Sequence, residues 1–448
     1  MYNINNTVKS YISRFNVDNA ANLYAAVRRK NWCRTYTMEI TLDTDIIPCI
    51  LTEALSDTLK RFPTFSAVLH DGIFWPHFEH TNFLPHIGRE KDYPYRPLTP
   101  DITKNGVIRV LYNKNKISID FFHGACDGHS ALTFLCTLIG RYLEKCGIEH
   151  SYNDIMKSVN SELTGSELSD DYLRYADSSP ASEKPTSEKA YIYAKPTDKS
   201  FVRVLHINVP TSEMKSACTK YNLSPTEYFS AALVCAFIRE QKKVTDENII
   251  ISIPVDLRQF FPSESMRNFV YAVPLSFNPK GRKDVTLGEV AECFRGKIRE
   301  QATKENMQAI MNRNVSAAKK SNFIPWQIKR LVLKSSYKAN QQSYTTVLSS
   351  FGKLTLPEDA AVHIKNVCII AGATPYADFN CAAITYNGEF RFTAGTSSRE
   401  CAVFNELMKI LEADGIDFKA QYNTDTDADN RAFKKHFSEK FFEYPDIK

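Results

Sequence analysis

Residues 116–143, KISIDFFHGACDGHSALTFLCTLIGRYL, switch hydrophobic period within a few positions, which narrows the available folds more than any other stretch. Ile117, Ile119 and Phe121 alternate as one face of a strand, and His123 shares that face if the strand continues. Leu132, Leu135, Ile139 and Tyr142 recur at helical spacing. Between the two lies HGACDG, where Asp127-Gly128 is a common turn pair and Asp127 is placed to cap the helix. A strand that feeds directly into a long helix requires a mixed architecture, with helices packed on a sheet.

The rest of the chain agrees. In the first half, PCILTEALSDTLKRFP (48–63) puts Ile50, Leu51, Ala54, Leu55 and Leu59 on one helical face, and VIRVLY with ISIDFF flank a hairpin turn. In the second, Ser224 is placed to cap a buried helix that has Pro225 in its first turn. NIIISIPVDLR and NFVYAVPLSF read as strands around a loop, and TLGEVAECFRGKIREQ as one further helix. Late strands are expected at AVHIKNVCII, NCAAITY and EFRFTAG, with a helix at ECAVFNELMKIL. Residues 177–200, rich in Ser, Pro, Lys and Glu, read as a connection between two halves. The expected organisation is 1–180, a linker at 181–200, a second half at 201–420, and a tail or docked helix at 421–448 carrying Phe433, Phe437 and Phe441. There is no short repeat, Walker A sequence, dinucleotide fingerprint or HExxH.

Bulk properties exclude several function classes. The net charge of +5 is small for 448 residues. Its densest cationic triplet, Arg28-Arg29-Lys30, reads as a solvated helix face, so no nucleic-acid partner is expected. The eleven cysteines include no CxxC pair. Cys136, Cys235 and Cys368 sit in apolar runs, as reduced buried thiols in a cytoplasmic protein would. MYNINNTVKSYISRF lacks the pattern of a signal peptide, and the longest apolar run, 229–238, is too short for a transmembrane segment.

His123 has three readings from local chemistry. One is ordinary turn chemistry. A second is metal ligation with Cys126, Asp127 and His129, but no further Cys/His pair completes a structural zinc site, and His77, His80 and His86 read as surface histidines. The third is general-base catalysis, in which a near-neutral imidazole takes a proton from a hydroxyl or amine attacking a carbonyl.

HGACDG is also an HxxxDG motif, and it resembles the active-site motif of the chloramphenicol-acetyltransferase-like and condensation-domain superfamily. IPVDLRQFFPSESMRNFVYAVPL resembles the second-half segment in which these proteins carry an arginine, a loop and an asparagine-containing strand. TTVLSSFGKLTLPE resembles the SNxG crossover of the alcohol acetyltransferase branch, with Ser350 where asparagine is usual. Condensation domains have HHxxxDG, whereas Phe122 stands at the first position here, and the DFGWG signature of the plant BAHD enzymes is absent.

The resemblance implies an α/β fold of the α+β type: two similar halves, each a mostly antiparallel sheet flanked by helices, with a tunnel at their interface. It implies an acyltransferase that takes an acyl group from acyl-CoA to a small alcohol or amine, with His123 as base and no metal or tightly bound cofactor. Asp127 and Gly128 would be structural, with Asp127 gripped by Arg258, where a guanidinium can make two parallel hydrogen bonds to a carboxylate. Thr346, Ser349 and Ser350 are candidate oxyanion donors. The alternatives are a condensation-type protein served by a separate acyl carrier protein, and a catalytically silent binding protein of the same fold.

Overall fold

The computed structural model describes residues 13–29, 32–90, 102–182, 189–193, 203–372, 374, 377–397 and 402–422. Most of the 181–200 connection and the tail from 423 onward, with its three phenylalanines, lie outside the described residues.

Lys116–Phe122 forms the expected strand, antiparallel to both Ile108–Asn113 and Thr35–Leu42. Ile117, Ile119 and Phe121 point into a core shared with the helices Pro48–Arg61 and Gly128–Lys145, which pack side by side. The opposite face is buried as well, because its polar residues satisfy one another. Lys116 pairs with Glu39 and Glu90, and Arg109 donates to Asp120 at 2.7 Å. These strands belong to a five-stranded sheet in which only the edge strand Ile87–Arg89 runs parallel to its neighbour. A small three-stranded sheet, Arg14–Asn16, His77–His80 and Ala67–His70, adjoins it in sequence.

The second half is built on a seven-stranded sheet. Its order is Val270–Phe277, Ile249–Asp256, Thr346–Lys353, Asn380–Tyr386, Glu389–Thr396, Arg203–Pro210 and Lys419–Tyr422. Thr346–Lys353 is parallel to both neighbours and every other pairing is antiparallel. Helix Pro225–Glu240 packs in this half's core, and it begins with a complete capping box between Ser224 and Glu227. The fold is therefore mixed α and β with antiparallel-rich sheets, as expected.

Three features depart from the linear reading. The expected single helix over TLGEVAECFRGKIREQ is broken into Leu287–Phe294 and Lys297–Gln301. Gly296 between them has φ +73°, a left-handed conformation that ends a helix, and its N–H donates to Glu227. Two long helices, Lys304–Lys320 and Trp326–Gln341, fill a region left unassigned from sequence. Finally, the chain crosses between sheets after Thr346–Lys353. Leu354, Leu356 and Ala360 pack into the first half's core, and Ile364–Ala371 pairs antiparallel with Thr35–Leu42. The second half thus supplies an edge strand to the first.

The halves are also tied through Glu167. Its buried carboxylate takes two hydrogen bonds from Arg61, at 2.8 and 2.9 Å, and one from Lys157 at 2.8 Å, and its carbonyl accepts from Met266 N–H. Both side chains of the Arg61–Glu167 pair are almost fully buried. Glu167→Ala should therefore cost about 3–5 kcal/mol, because Arg61 is left uncompensated. Urea unfolding would measure this, and a loss under about 1 kcal/mol would mean the pair behaves like an exposed one.

Candidate active site

Asp127 ends the turn and starts the helix. Its Oδ1 accepts from the N–H and hydroxyl of Ser130, at 3.0 and 2.9 Å. Its Oδ2 accepts from Arg258 Nη1 at 2.7 Å and from the Phe269 N–H at 2.9 Å, both in the second half. Helix cap and ion pair, both expected from the sequence, coexist on one carboxylate. The parallel two-bond grip does not form. Oδ1 is committed to the helix, and Arg258 Nη2 donates instead to the carbonyls of Ser265 and Arg267, at 2.7 and 3.0 Å. Burial opposes the Asp127 charge, but Arg258, His129 and the Ser130 N–H outweigh it and hold its pKa below the ordinary carboxylate value. Burial likewise disfavours the Arg258 cation, and Asp127 and Asp256 more than compensate.

Gly128 has a steric reason. A Cβ there would lie 2.4 Å from the Phe351 ring, which comes from the crossover strand Thr346–Lys353. Gly124 is similarly confined by the Phe122 ring.

His123 sits one residue past the strand, with its N–H bonded to the Arg34 carbonyl at 2.9 Å. Its ring stacks on Tyr24 at a centroid distance of 4.3 Å and meets the edge of Tyr36 at 5.1 Å. Tyr36 in turn holds the turn itself, donating to the Asp127 carbonyl at 2.9 Å. Nδ1 of His123 is buried and has no partner in another residue among the described residues, and the residue's own carbonyl supports the protonated ring. The residue is half-buried, and protein surrounds its ring. Burial, reinforced by the Arg34 cation, pushes its pKa down to about 4; its own carbonyl, Asp127 and the Asn268 side chain act in the other direction. The imidazole is neutral at physiological pH.

Asn268 is held by Asp18, whose Oδ2 accepts from the Asn268 side-chain amide at 3.1 Å. Asp18 Oδ1 accepts from the Ala21 N–H at 2.7 Å, at the start of the helix Asn22–Val27 that carries Tyr24. One buried carboxylate thus fixes two neighbours of His123. Burial pushes its pKa up to about 7, against the pull of Arg267. Sequence reading assigned no role to Tyr24, Arg34, Tyr36, Asp18 or Asn268. Only Asn268 carried a signal, as the asparagine of the matched second-half segment.

The metal-reading residues diverge. Cys126 Sγ lies 3.2 Å from the Tyr36 hydroxyl, and His129 Nδ1 faces Asp256 at 3.8 Å. Among the described residues no group of three His, Cys, Asp or Glu side chains could hold an ion.

The three candidate oxyanion donors separate by strand parity. Thr346 donates to the Phe379 carbonyl at 2.9 Å, and Ser350 accepts from Thr226 at 2.9 Å on the same face. Ser349 is half-buried and shares the other face with Phe351, which touches the motif turn at Gly128.

No family model matches the chain. No curated protein matches it either. Solved structures do. TRI101 of F. graminearum in complex with coenzyme A and deoxynivalenol aligns with TM-score 0.61 and 12% identity, over 91% of this chain and 99% of that one. The TRI3 trichothecene 15-O-acetyltransferase from Fusarium sporotrichioides aligns with TM-score 0.56 and 12% identity, over 90% and 94%. The nonribosomal peptide synthetase FmoA3 aligns with TM-score 0.52 and 12% identity, over 91% of this chain and 43% of that one. The chain has the fold of the chloramphenicol-acetyltransferase-like and condensation superfamily.

The Asp127–Arg258 contact is buried on both sides, with side-chain exposures of 1% and 9%. Asp127→Asn and Arg258→Gln should each cost about 3–5 kcal/mol, and the double variant should lose clearly less than the sum. Additive losses in a chemical-denaturation cycle would show that the two side chains act independently.

Proposed function

We propose that the chain is an acyltransferase that moves an acyl group from an acyl-CoA thioester to the hydroxyl or amine of a small acceptor, with His123 as general base. The observation that carries this reading is a neutral, half-buried imidazole held between two tyrosines at an HxxxDG turn. The coenzyme A in the TRI101 complex and the likeness to the TRI3 15-O-acetyltransferase support the donor class.

In the reaction, Nε2 of His123 accepts the acceptor's proton as its oxygen or nitrogen attacks the thioester carbonyl carbon. The carbonyl π pair moves onto oxygen, and Ser349, whose hydroxyl is not engaged as those of Thr346 and Ser350 are among the described contacts, is our candidate donor to that oxyanion. The tetrahedral intermediate then collapses, the C–S bond breaks, and the imidazolium returns its proton to the thiolate. Ester or amide and free coenzyme A result. A low pKa guarantees the neutral base but weakens it. The Asn268 side chain and the Asp127 charge offset part of that loss by favouring the imidazolium. General-base help supplies about 10²–10⁴ in rate, so positioning of donor and acceptor between the halves supplies the remainder.

A carrier-bound donor is the second reading, supported by the likeness to FmoA3. Against it, the position of the first motif histidine in condensation domains is taken by Phe122, which is fully buried in the first half's core.

Thiol release from a panel of acyl-CoA donors, with simple alcohols and amines and again with carrier-bound donors, tests the assignment. His123→Ala should lower turnover by about 10²-fold or more while leaving the melting transition in place. His129→Ala should be far milder, since its ring turns toward Asp256. Near-normal turnover by folded His123→Ala would remove the histidine from the mechanism.

The pH profile is a separate test. Only the deprotonated ring is competent, so kcat/KM should be flat through neutrality and fall on the acid side with an apparent pKa near 4. An acid limb near the unperturbed value of ~6.5 would contradict the burial described here.

A further inference from the structure

We propose that the helix Trp326–Gln341, with the turn before it and the turn around Ile73, forms a docking surface for an anionic lipid bilayer. The helix is apolar on two sides. Trp326, Lys329 and Tyr337 are buried against the protein, whereas Ile328, Leu331 and Val332 lie on the opposite side and are exposed. Leu331 is 69% exposed, and Phe323, in the turn before the helix, is 91% exposed. Ile73, at the tip between two strands of the small sheet, is 79% exposed, and its carbonyl accepts from the Trp326 N–H at 2.8 Å. Trp75 donates to Asn322 at 3.2 Å, and Trp326 to Asp71 at 2.8 Å. Two segments far apart in sequence are thus fastened into one protruding apolar patch, of a kind that marks an interaction surface.

Charge selects the partner. Between Glu305 and Glu358 the chain has no acidic residue. Lys319, Lys320, Lys334 and Lys338 are exposed around the patch. Asp71, the acid beside it, is paired with Arg28 at 2.7 Å. Arg330, Arg29 and Arg28 crowd Lys334 closely enough to lower its pKa, after burial itself. Exposed aromatic and aliphatic side chains ringed by lysines suit the boundary between acyl chains and anionic headgroups, where each part meets its preferred environment. A second copy fits poorly, because a self-complementary contact would bring both sets of lysines together. The surface also adjoins the site. Arg330 donates to the carbonyls of Ala26 and Arg28, at the end of the helix whose Tyr24 stacks on His123. It does not depend on the role given to that histidine.

Flotation of the full chain with vesicles tests the proposal, comparing phosphatidylcholine alone with phosphatidylcholine mixed with phosphatidylglycerol. The chain should float with the mixed vesicles, weakly with the neutral ones, and less as salt rises. Phe323→Ser with Leu331→Ser should lower binding about tenfold or more with an unchanged melting transition, since both side chains are exposed. Lys334→Gln and Lys338→Gln should each lower binding to the mixed vesicles by roughly fivefold. Failure to float with the mixed vesicles, or equal binding by the serine variant, would overturn the proposal. So would a dimer, seen by light scattering, that the serine variant converts to monomer, because the patch would then serve a second copy.

Discussion

Four donors converge on the carboxylate of Asp127, and the geometry of the candidate site depends on that convergence. Two come from the first turn of its own helix and two from the second half. A buried carboxylate is tolerable only when its charge is compensated and its lone pairs are filled. Here compensation requires Arg258, and Arg258 is itself held by the carbonyls of the loop leading to Asn268. The helix start, the loop and the turn bearing His123 are therefore fixed by one electrostatic demand. Separating the halves would strand both charges, so the site and the interface form together.

Around the imidazole the structure trades basicity for certainty of protonation state. Burial and Arg34 favour the neutral ring, while Asn268 and Asp127 favour the charged one. Asp18 is the less obvious partner in this balance. By holding the Asn268 amide and the helix that carries Tyr24, it sets the polar and the stacking surroundings of His123 from one buried position.

The locally encoded parts of the site were legible in sequence. The change of period around HGACDG located the strand, the turn and the helix, and the resemblance of two distant segments nominated Arg258 as a partner for Asp127. What escaped the linear reading is what tertiary packing decides. Tyr24 and Tyr36 carry no motif and reach His123 only because their elements fold against the turn. Gly128 looked like turn chemistry, whereas the Phe351 ring also crowds the space a side chain there would need. Thr346, Ser349 and Ser350 looked equivalent until strand register placed the first and third on the face away from Phe351. The exchange of Ile364–Ala371 into the first sheet is a matter of pairing, which hydrophobic alternation does not specify.

The account rests on direct transfer, in which His123 moves a proton and never carries the acyl group. Single-turnover rapid quench with an acyl-labelled CoA donor addresses this most directly, once a productive donor and acceptor are known. The account predicts that without acceptor no coenzyme A is released and no label enters the protein. With acceptor, product and coenzyme A should then form together in one phase. A burst of one equivalent of coenzyme A with label retained on the protein would contradict it.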